Sequence, residues 1–171
     1  LLYKQFRLVC HPMTPIFCLF GIMVLIPNYP YTVIFFYVML GLFFTFLNIR
    51  EQKDIYYSAL LPVPKRDTVK AGCAFVALIE LLSLVVLIPC SLLAVHLQPG
   101  KDNLVGLDPN LALLAAGFLL YAVFNAVFLP SFYANGYKVG MAFINAVIPT
   151  TLAMAVFEAL PHFPGLTWLD D

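Results

Sequence analysis

Apolar positions fill this chain in five long runs, and short stretches carrying proline, charge or both separate each run from the next. A bilayer core about 30 Å thick is crossed by roughly 20 apolar helical residues, with about 17 to 25 tolerated. On that measure the pattern predicts spans at 14–27, 31–49, 68–96, 109–129 and 139–160, the first of them short. The run between residues 15 and 47 is too long for one span, and Ile26-Pro27-Asn28-Tyr29-Pro30 divides it. Proline lacks an amide donor and fixes its own backbone angle, so two prolines around an asparagine end a helix and predict a tight hairpin. The expected fold is an all-α integral membrane protein, a polytopic helical bundle that forms one transmembrane domain over residues 1–171.

Local signals set the expected helix starts. Asp67 is a candidate N-cap for the third span, and Asp108 followed by Pro109 has the order of an N-cap and a first-turn proline for the fourth. Before the first span, Lys4, Arg7 and His11 recur at helical spacing while Leu2, Phe6 and Val9 fall on another side. Residues 1–13 therefore read as a short interfacial helix lying on the membrane, the alternative being the frayed start of span one.

Composition agrees with the pattern. The chain is 63% hydrophobic and 11% charged, with a mean hydropathy of +0.94, whereas soluble domains carry about 25% charged residues. Apolar runs along the whole length exclude a single anchor or a removable signal segment as the explanation. No basic block resembles a nucleic-acid patch, so the bilayer is the expected partner and nucleic acid is not. Cys10, Cys18, Cys73 and Cys90 are scattered singly, and His11, His96 and His162 lie in separate segments, so no metal site is expected. The single cysteines read as small membrane-compatible side chains, with palmitoylation of Cys10 as the other reading.

Charge is concentrated between residues 50 and 70, which hold five of the nine Lys and Arg residues and three of the nine acids. With the N-terminus on the cytoplasmic side, the inside segments hold Lys4, Arg7, Arg50, Lys53, Lys65, Arg66, Lys70 and Lys138, and the outside loops hold only Lys101. That asymmetry predicts a cytoplasmic N-terminus, a cytoplasmic loop at 50–67 and an outer loop at 161–171. The chain has no initiator Met and stops in a polar, Pro-containing stretch, so both ends are expected to be incomplete.

Within the loop, residues 51–61 can form about three helical turns before Pro62 and Pro64 stop them. Glu51, Asp54, Ser58 and Leu61 would share one side, with Ile55, Ala59, Tyr56 and Tyr57 making the rest apolar and aromatic. Such a helix suits docking into the groove of a soluble partner, and a solvated loop that only fixes orientation is the alternative.

Arg50-Glu51, Asp54, Leu60-Leu61-Pro62-Val63, Lys65-Arg66 and Val69-Lys70 together resemble the cytoplasmic loop of ABC-2 type transporter permeases, especially small bacterial ones. The 26–30 turn, Gly106-Leu107-Asp108 with Asn110, and Phe124-Asn125 with Tyr137-Lys138-Val139-Gly140 resemble other segments of the same group, so the likeness covers nearly all of the chain. The resemblance implies six spans, of which the sixth is absent here, in the permease of an ATP-driven exporter in a bacterial plasma membrane. It implies a partner ATP-binding subunit that carries ATP and Mg, with no cofactor on this chain, and a second permease as homodimer or heterodimer. It further implies that Glu51, Asp54, Ile55, Tyr56, Tyr57, Ser58, Leu60 and Leu61 form a coupling helix, with Asp54, Tyr57 and Leu61 as leading contacts, and that residues 1–13 are an elbow helix. Gln52-Lys53 departs from the more polar stretch common in relatives. Independently of the family, the chain has no G-x-x-x-x-G-K-[ST] loop to hold phosphates, so ATP hydrolysis is expected elsewhere.

Polar residues inside the runs are the pathway candidates. Glu80 falls roughly 15 Å into span three, where an ionised carboxylate facing lipid is costly, so it reads either as a pathway residue or as a hydrogen-bonded structural one. Asn125 and Asn145 read as pathway candidates or as helix-packing contacts, and Glu158 as a residue reaching the interface. Tyr29, Tyr31, Tyr133 and Tyr137 read as interfacial belt residues. An apolar wall with one deep carboxylate fits an amphipathic or apolar cargo, such as a peptide, lipid or antibiotic. Two other classes compete, a protease-like intramembrane enzyme and a motor-free channel or scaffold, but the acids and histidines do not converge at one depth as a catalytic site requires.

Overall fold

A computed structural model describes residues 1–60, 62–97, 103, 105–135 and 138–163, apart from the Ile55 side chain. All regular structure among the described residues is helical. Helix α1, Leu2–Lys4, runs into a π-helical turn, Gln5–Val9; α2, Met13–Cys18, continues as a 3₁₀ segment, Leu19–Leu25. Then follow α3 (Val33–Glu51), α4 (Asp54–Leu60), α5 (Lys65–Leu97), α6 (Leu111–Ala134) and α7 (Val139–Ala159), which ends in a 3₁₀ turn, Leu160–His162. Four of these helices are long and apolar enough to cross a membrane, or five spans if the bent pair Leu2–Val9 and Met13–Leu25 counts as one. The chain is a polytopic helical membrane protein.

The first span is short by count and recovers part of that deficit in reach. A 3₁₀ helix rises about 2.0 Å per residue against about 1.5 Å for an α-helix, so Met13–Leu25 covers roughly 23 Å. The segment before it, Leu2–Val9, is turned from it by 99°. So sharp a turn frees backbone groups that hydrocarbon cannot satisfy, and α3 satisfies them. Asn48 Nδ2 donates to the Val9 carbonyl at 3.0 Å, and the His11 amide donates to Thr45 Oγ1 at 3.1 Å. Thr14 Oγ1 donates to the Gly41 carbonyl at 2.7 Å, so the 2.8 Å contact between the two threonine hydroxyls must have Thr45 as donor. A Cβ at Gly41 would lie 3.1 Å from Thr14 Cα, and glycine there lets α2 come close enough for this chain of bonds.

From residue 31 to residue 50 every position is buried or half-buried, which makes α3 the enclosed centre of the bundle. Lipid is as apolar as leucine, so close packing rather than escape from water must hold such a helix. Phenylalanines provide it. Phe124, Phe128 and Phe132 recur every fourth residue on α6 and are fully buried; Phe46 of α3 meets Phe128 and Phe132 edge-on at 5.0 and 4.6 Å. Phe143 of α7 closes on Phe43 at 4.5 Å, and Phe35 meets Tyr121 at 5.5 Å. Gly117 leaves the room that Phe35 fills, because a Cβ there would overlap the ring.

The other end of α3 is held by a carboxylate. Thr32 donates to Glu158 Oε1 through its amide at 3.0 Å and its hydroxyl at 2.6 Å, and the Leu107 amide donates to Oε2 at 3.3 Å. A negative group at a helix start meets unpaired amides and the positive end of the macrodipole. Gly106 leaves the room that the Glu158 carboxylate occupies, so a side chain there would push the carboxylate out of this position. Asn103 completes the knot, its side-chain amide donating to the Tyr29 and Leu107 carbonyls while its backbone amide donates to Asp108 Oδ1 at 2.6 Å.

Several local expectations are corrected. Asn110, not Asp108, caps α6, accepting from the Ala112 and Leu113 amides at 2.8 and 3.2 Å; Asp108 is occupied by Asn103. Asp67 lies inside the first turn of α5, which starts at Lys65 directly after the Pro62 and Pro64 breakers. Glu158 does not simply reach outward but binds α3. Tyr31 is buried and staples its own turn by donating to the Ile26 carbonyl at 3.0 Å, and Tyr133 is half-buried with its hydroxyl in the space beside Gly72. Tyr137 lies outside the described residues.

Two outcomes follow. Thr45→Val keeps the shape but leaves the His11 amide without its acceptor and the Thr14 oxygen without its donor, costing about 1–3 kcal/mol of stability. Thr151→Val, whose hydroxyl bonds only carbonyls of its own helix, should cost far less in the same denaturation assay. Glu158→Ala should raise amide hydrogen exchange at Thr32 and Leu107 by roughly tenfold while exchange in the middle of α6 stays unchanged.

Candidate functional site

The charged stretch folds differently from the single three-turn helix expected for 51–61. Glu51 is the last residue of α3. Gln52 closes that helix, and Lys53 adopts a left-handed backbone with φ of 52°, which turns the chain before α4 begins at Asp54. A non-glycine residue in that region is uncommon and marks a sharp change of direction. Gln52 also donates to Asn48 Oδ1 at 2.9 Å, so Asn48 serves both the elbow turn and the end of α3. Helix α4 is seven residues long and includes Ile55; Leu61 lies outside the described residues.

Two faces of α4 have different tasks. Asp54 and Ser58, one turn apart, both point at Lys4 of the elbow: Lys4 Nζ is 2.7 Å from Asp54 Oδ1 and donates to Ser58 Oγ at 2.5 Å. Both side chains of the ion pair are largely enclosed, so salt screens the pair less than an exposed one. Tyr56, Tyr57 and Leu60 point away and are 57, 61 and 67% exposed, with the two tyrosine rings edge-on at 5.8 Å. The geometry separates the expected contact residues into a clamped pair, Asp54 and Ser58, and an outward trio.

The elbow itself is seated by Val9 and Gln5, both buried, and by Phe6, whose ring meets Phe75 of α5 at 4.9 Å. Lys4 was expected on a solvated face with Arg7 and His11. Instead Lys4 meets α4, while Arg7 stays exposed and bonds Tyr3 at 3.1 Å. No signal in the sequence singled out the Lys4 to Asp54 pairing, and Thr14, Thr45 and Asn48 were also missed. Asn48 one turn after Thr45 was the available hint, a polar pair on an otherwise apolar helix.

Of the three pathway candidates, two meet and one stands apart. Glu80 of α5 is 6% exposed, and Asn125 Nδ2 of α6 donates to its Oε2 at 2.7 Å. Glu80 Oε1 and Asn125 Oδ1 are buried without a hydrogen-bond partner. Nearby, Ser83 Oγ donates to the Glu80 carbonyl at 2.7 Å, so in its 2.7 Å contact with Tyr121 the tyrosine hydroxyl is the donor. The pair ties α5 to α6 inside this chain. Asn145 is exposed on α7 and makes no such contact.

The arrangement is that of a membrane bundle with a short helix held at one end, and comparison with known proteins assigns the chain as a whole to a family of membrane proteins. The family model described as ABC-2 family transporter protein matches residues 1–166. No curated protein and no solved structure matches the chain. The match covers nearly the whole sequence, and the chain belongs to the ABC-2 transporter family as a multi-pass transport permease subunit.

Proposed function

We propose that this permease works in an ATP-driven exporter and that α4 is the surface on which a separate ATP-binding subunit docks. The observation that carries the reading is the division of α4 into a face clamped by Lys4 and a face presenting Tyr56, Tyr57 and Leu60. An aromatic and aliphatic trio on a short helix at the end of a membrane bundle fits a groove in a soluble partner, and tyrosines are common anchors at such interfaces. ATP and Mg belong to the partner on this reading, since the chain has no phosphate-binding loop of its own.

Orientation is proposed on the same basis. Lys4, Arg7, Arg50, Lys53, Lys65, Arg66, Lys70 and Lys138 flank helix ends that the up-and-down topology gathers at the elbow end of the bundle. That concentration supports a cytoplasmic elbow end and a cytoplasmic N-terminus, in a bacterial plasma membrane. Two permeases, identical or paralogous, would enclose the pathway, and the apolar faces of the spans favour an amphipathic or apolar cargo. Glu80, Asn125 and Asn145 remain its pathway candidates.

Tyr57→Ala should weaken docking by roughly 2 kcal/mol, about thirtyfold, measured as binding of the ATP-binding subunit to the purified permease. Asp54→Asn, which faces the elbow, should leave that affinity within a few-fold but lower permease-stimulated ATPase activity. Unchanged motor binding in the Tyr56, Tyr57 and Leu60 triple alanine variant would place the docking surface elsewhere.

A further inference from the structure

Where α6 turns into α7, a cavity of about 370 Å³ opens at the end of the helical hairpin. Ser131 and Asn135 line it from the end of α6, and Lys138 and Asn145 from the start of α7, with Pro130 and Met141 among its apolar walls. None of these four polar side chains makes a hydrogen bond or ion pair in the described structure. Gly140 beside them faces open space. Ser131 is half-buried and Asn135, Lys138 and Asn145 are exposed, so all four are open to a ligand from outside, and Asn145, well along a membrane-spanning helix, is costly to leave facing lipid alone.

The chemistry of the lining selects that partner. One ammonium, two carboxamides and a hydroxyl converge, and no acid is among the described residues that line the cavity. Such a set offers donors and one positive charge, and its complement is an anion rich in acceptor oxygens. The donors are also graded in depth. Asn145 lies roughly 10 Å along α7 from Lys138, deeper toward the middle of the span. A phospholipid presents acceptors in the same order, its phosphate at the surface, its ester carbonyls below and its acyl chains beyond. Basic pockets between spans at a membrane face are known to hold such headgroups.

We infer that the α6–α7 cavity is a binding site for one anionic glycerophospholipid, with Lys138 and Asn135 on the phosphate and Asn145 on the ester region. The site does not depend on motor docking, because α4 takes no part in it. A free phosphate compound offers the same headgroup chemistry without the acyl chains, so the test must separate the two.

The full-length permease, purified in detergent and washed free of loose lipid, is examined by native mass spectrometry with phosphatidylglycerol or phosphatidylcholine added. Wild type should retain one phosphatidylglycerol, in preference to phosphatidylcholine. Lys138→Gln should weaken retention about fivefold, the worth of one basic residue at an anionic surface. Lys138→Arg should restore it, and Asn145→Leu should lower it. Lys70→Gln, on a different helix, should leave it unchanged. Thermal stability provides a second readout, since phosphatidylglycerol should raise the melting temperature of wild type and not of Lys138→Gln. Equal retention by wild type and Lys138→Gln, or equal retention of the two lipids, would overturn the assignment. Displacement of the lipid by millimolar inorganic phosphate alone would overturn it in favour of a soluble phosphate ligand.

Discussion

Hydrocarbon offers no hydrogen bonds, and this fold is organised around the two places where its backbone would otherwise go without them. One is the turn at residues 10–12, where the chain bends by 99° between the elbow and α2. The other is the beginning of α3, where the Val33, Ile34 and Phe35 amides bond the carbonyls of Pro30, Tyr31 and Thr32 and the Thr32 amide takes its partner from another helix. Both are met by α3. At one end its Thr45 and Asn48 side chains serve the elbow backbone; at the other its Thr32 is held by Glu158 of α7. A helix that must both give and receive such bonds has to be surrounded, and α3 has no exposed position between residues 31 and 50.

The same constraint explains how the short first span is accommodated. A six-residue α-helix continued as seven residues of 3₁₀ gains length without adding residues, at the expense of less well aligned hydrogen bonds. Gly21 sits where that segment approaches α5, with a Cβ position 3.4 Å from the Leu87 backbone. Close approach of small residues is the usual way for membrane helices to gain packing energy, and here it compensates for a span that could not hold its place by length alone.

How much of this was legible in the sequence depended on the range of the interaction. The long spans followed from hydropathy, and the 26–30 hairpin from its two prolines, because both are local properties. Capping was harder. Asp108-Pro109 has the expected order of a helix start, yet Asn110 is the cap, since Asn103 had already claimed Asp108. Glu51 was assigned to the coupling helix because nothing in Gln52-Lys53 announces a left-handed residue, and lysine is not the usual occupant of one. Lys4 with Asp54 and Ser58, 50 and 54 residues apart, is a tertiary pairing that periodicity cannot reveal. Glu80 with Asn125 is of the same kind: each residue was noticed alone, and only the crossing of α5 and α6 made them a pair.

On the proposed docking, the clamp decides where a push on α4 would go. The chain leaves α4 toward α5 through the Pro62 and Pro64 stretch, which has no helical ladder to transmit force. It enters α4 from α3 through the sharp turn at Lys53. The Lys4 contacts to Asp54 and Ser58 provide a third connection, a charge-assisted one, to the elbow. The elbow is in turn bonded to α3 at Asn48 and Thr45, so two of the three routes from α4 converge on the same helix. Helix α3 is also the one gripped by Glu158 at its far end, next to the loop held by Asn103. A displacement of α4 can therefore change contacts at both ends of the bundle through one enclosed helix, provided the two arrangements differ in those contacts.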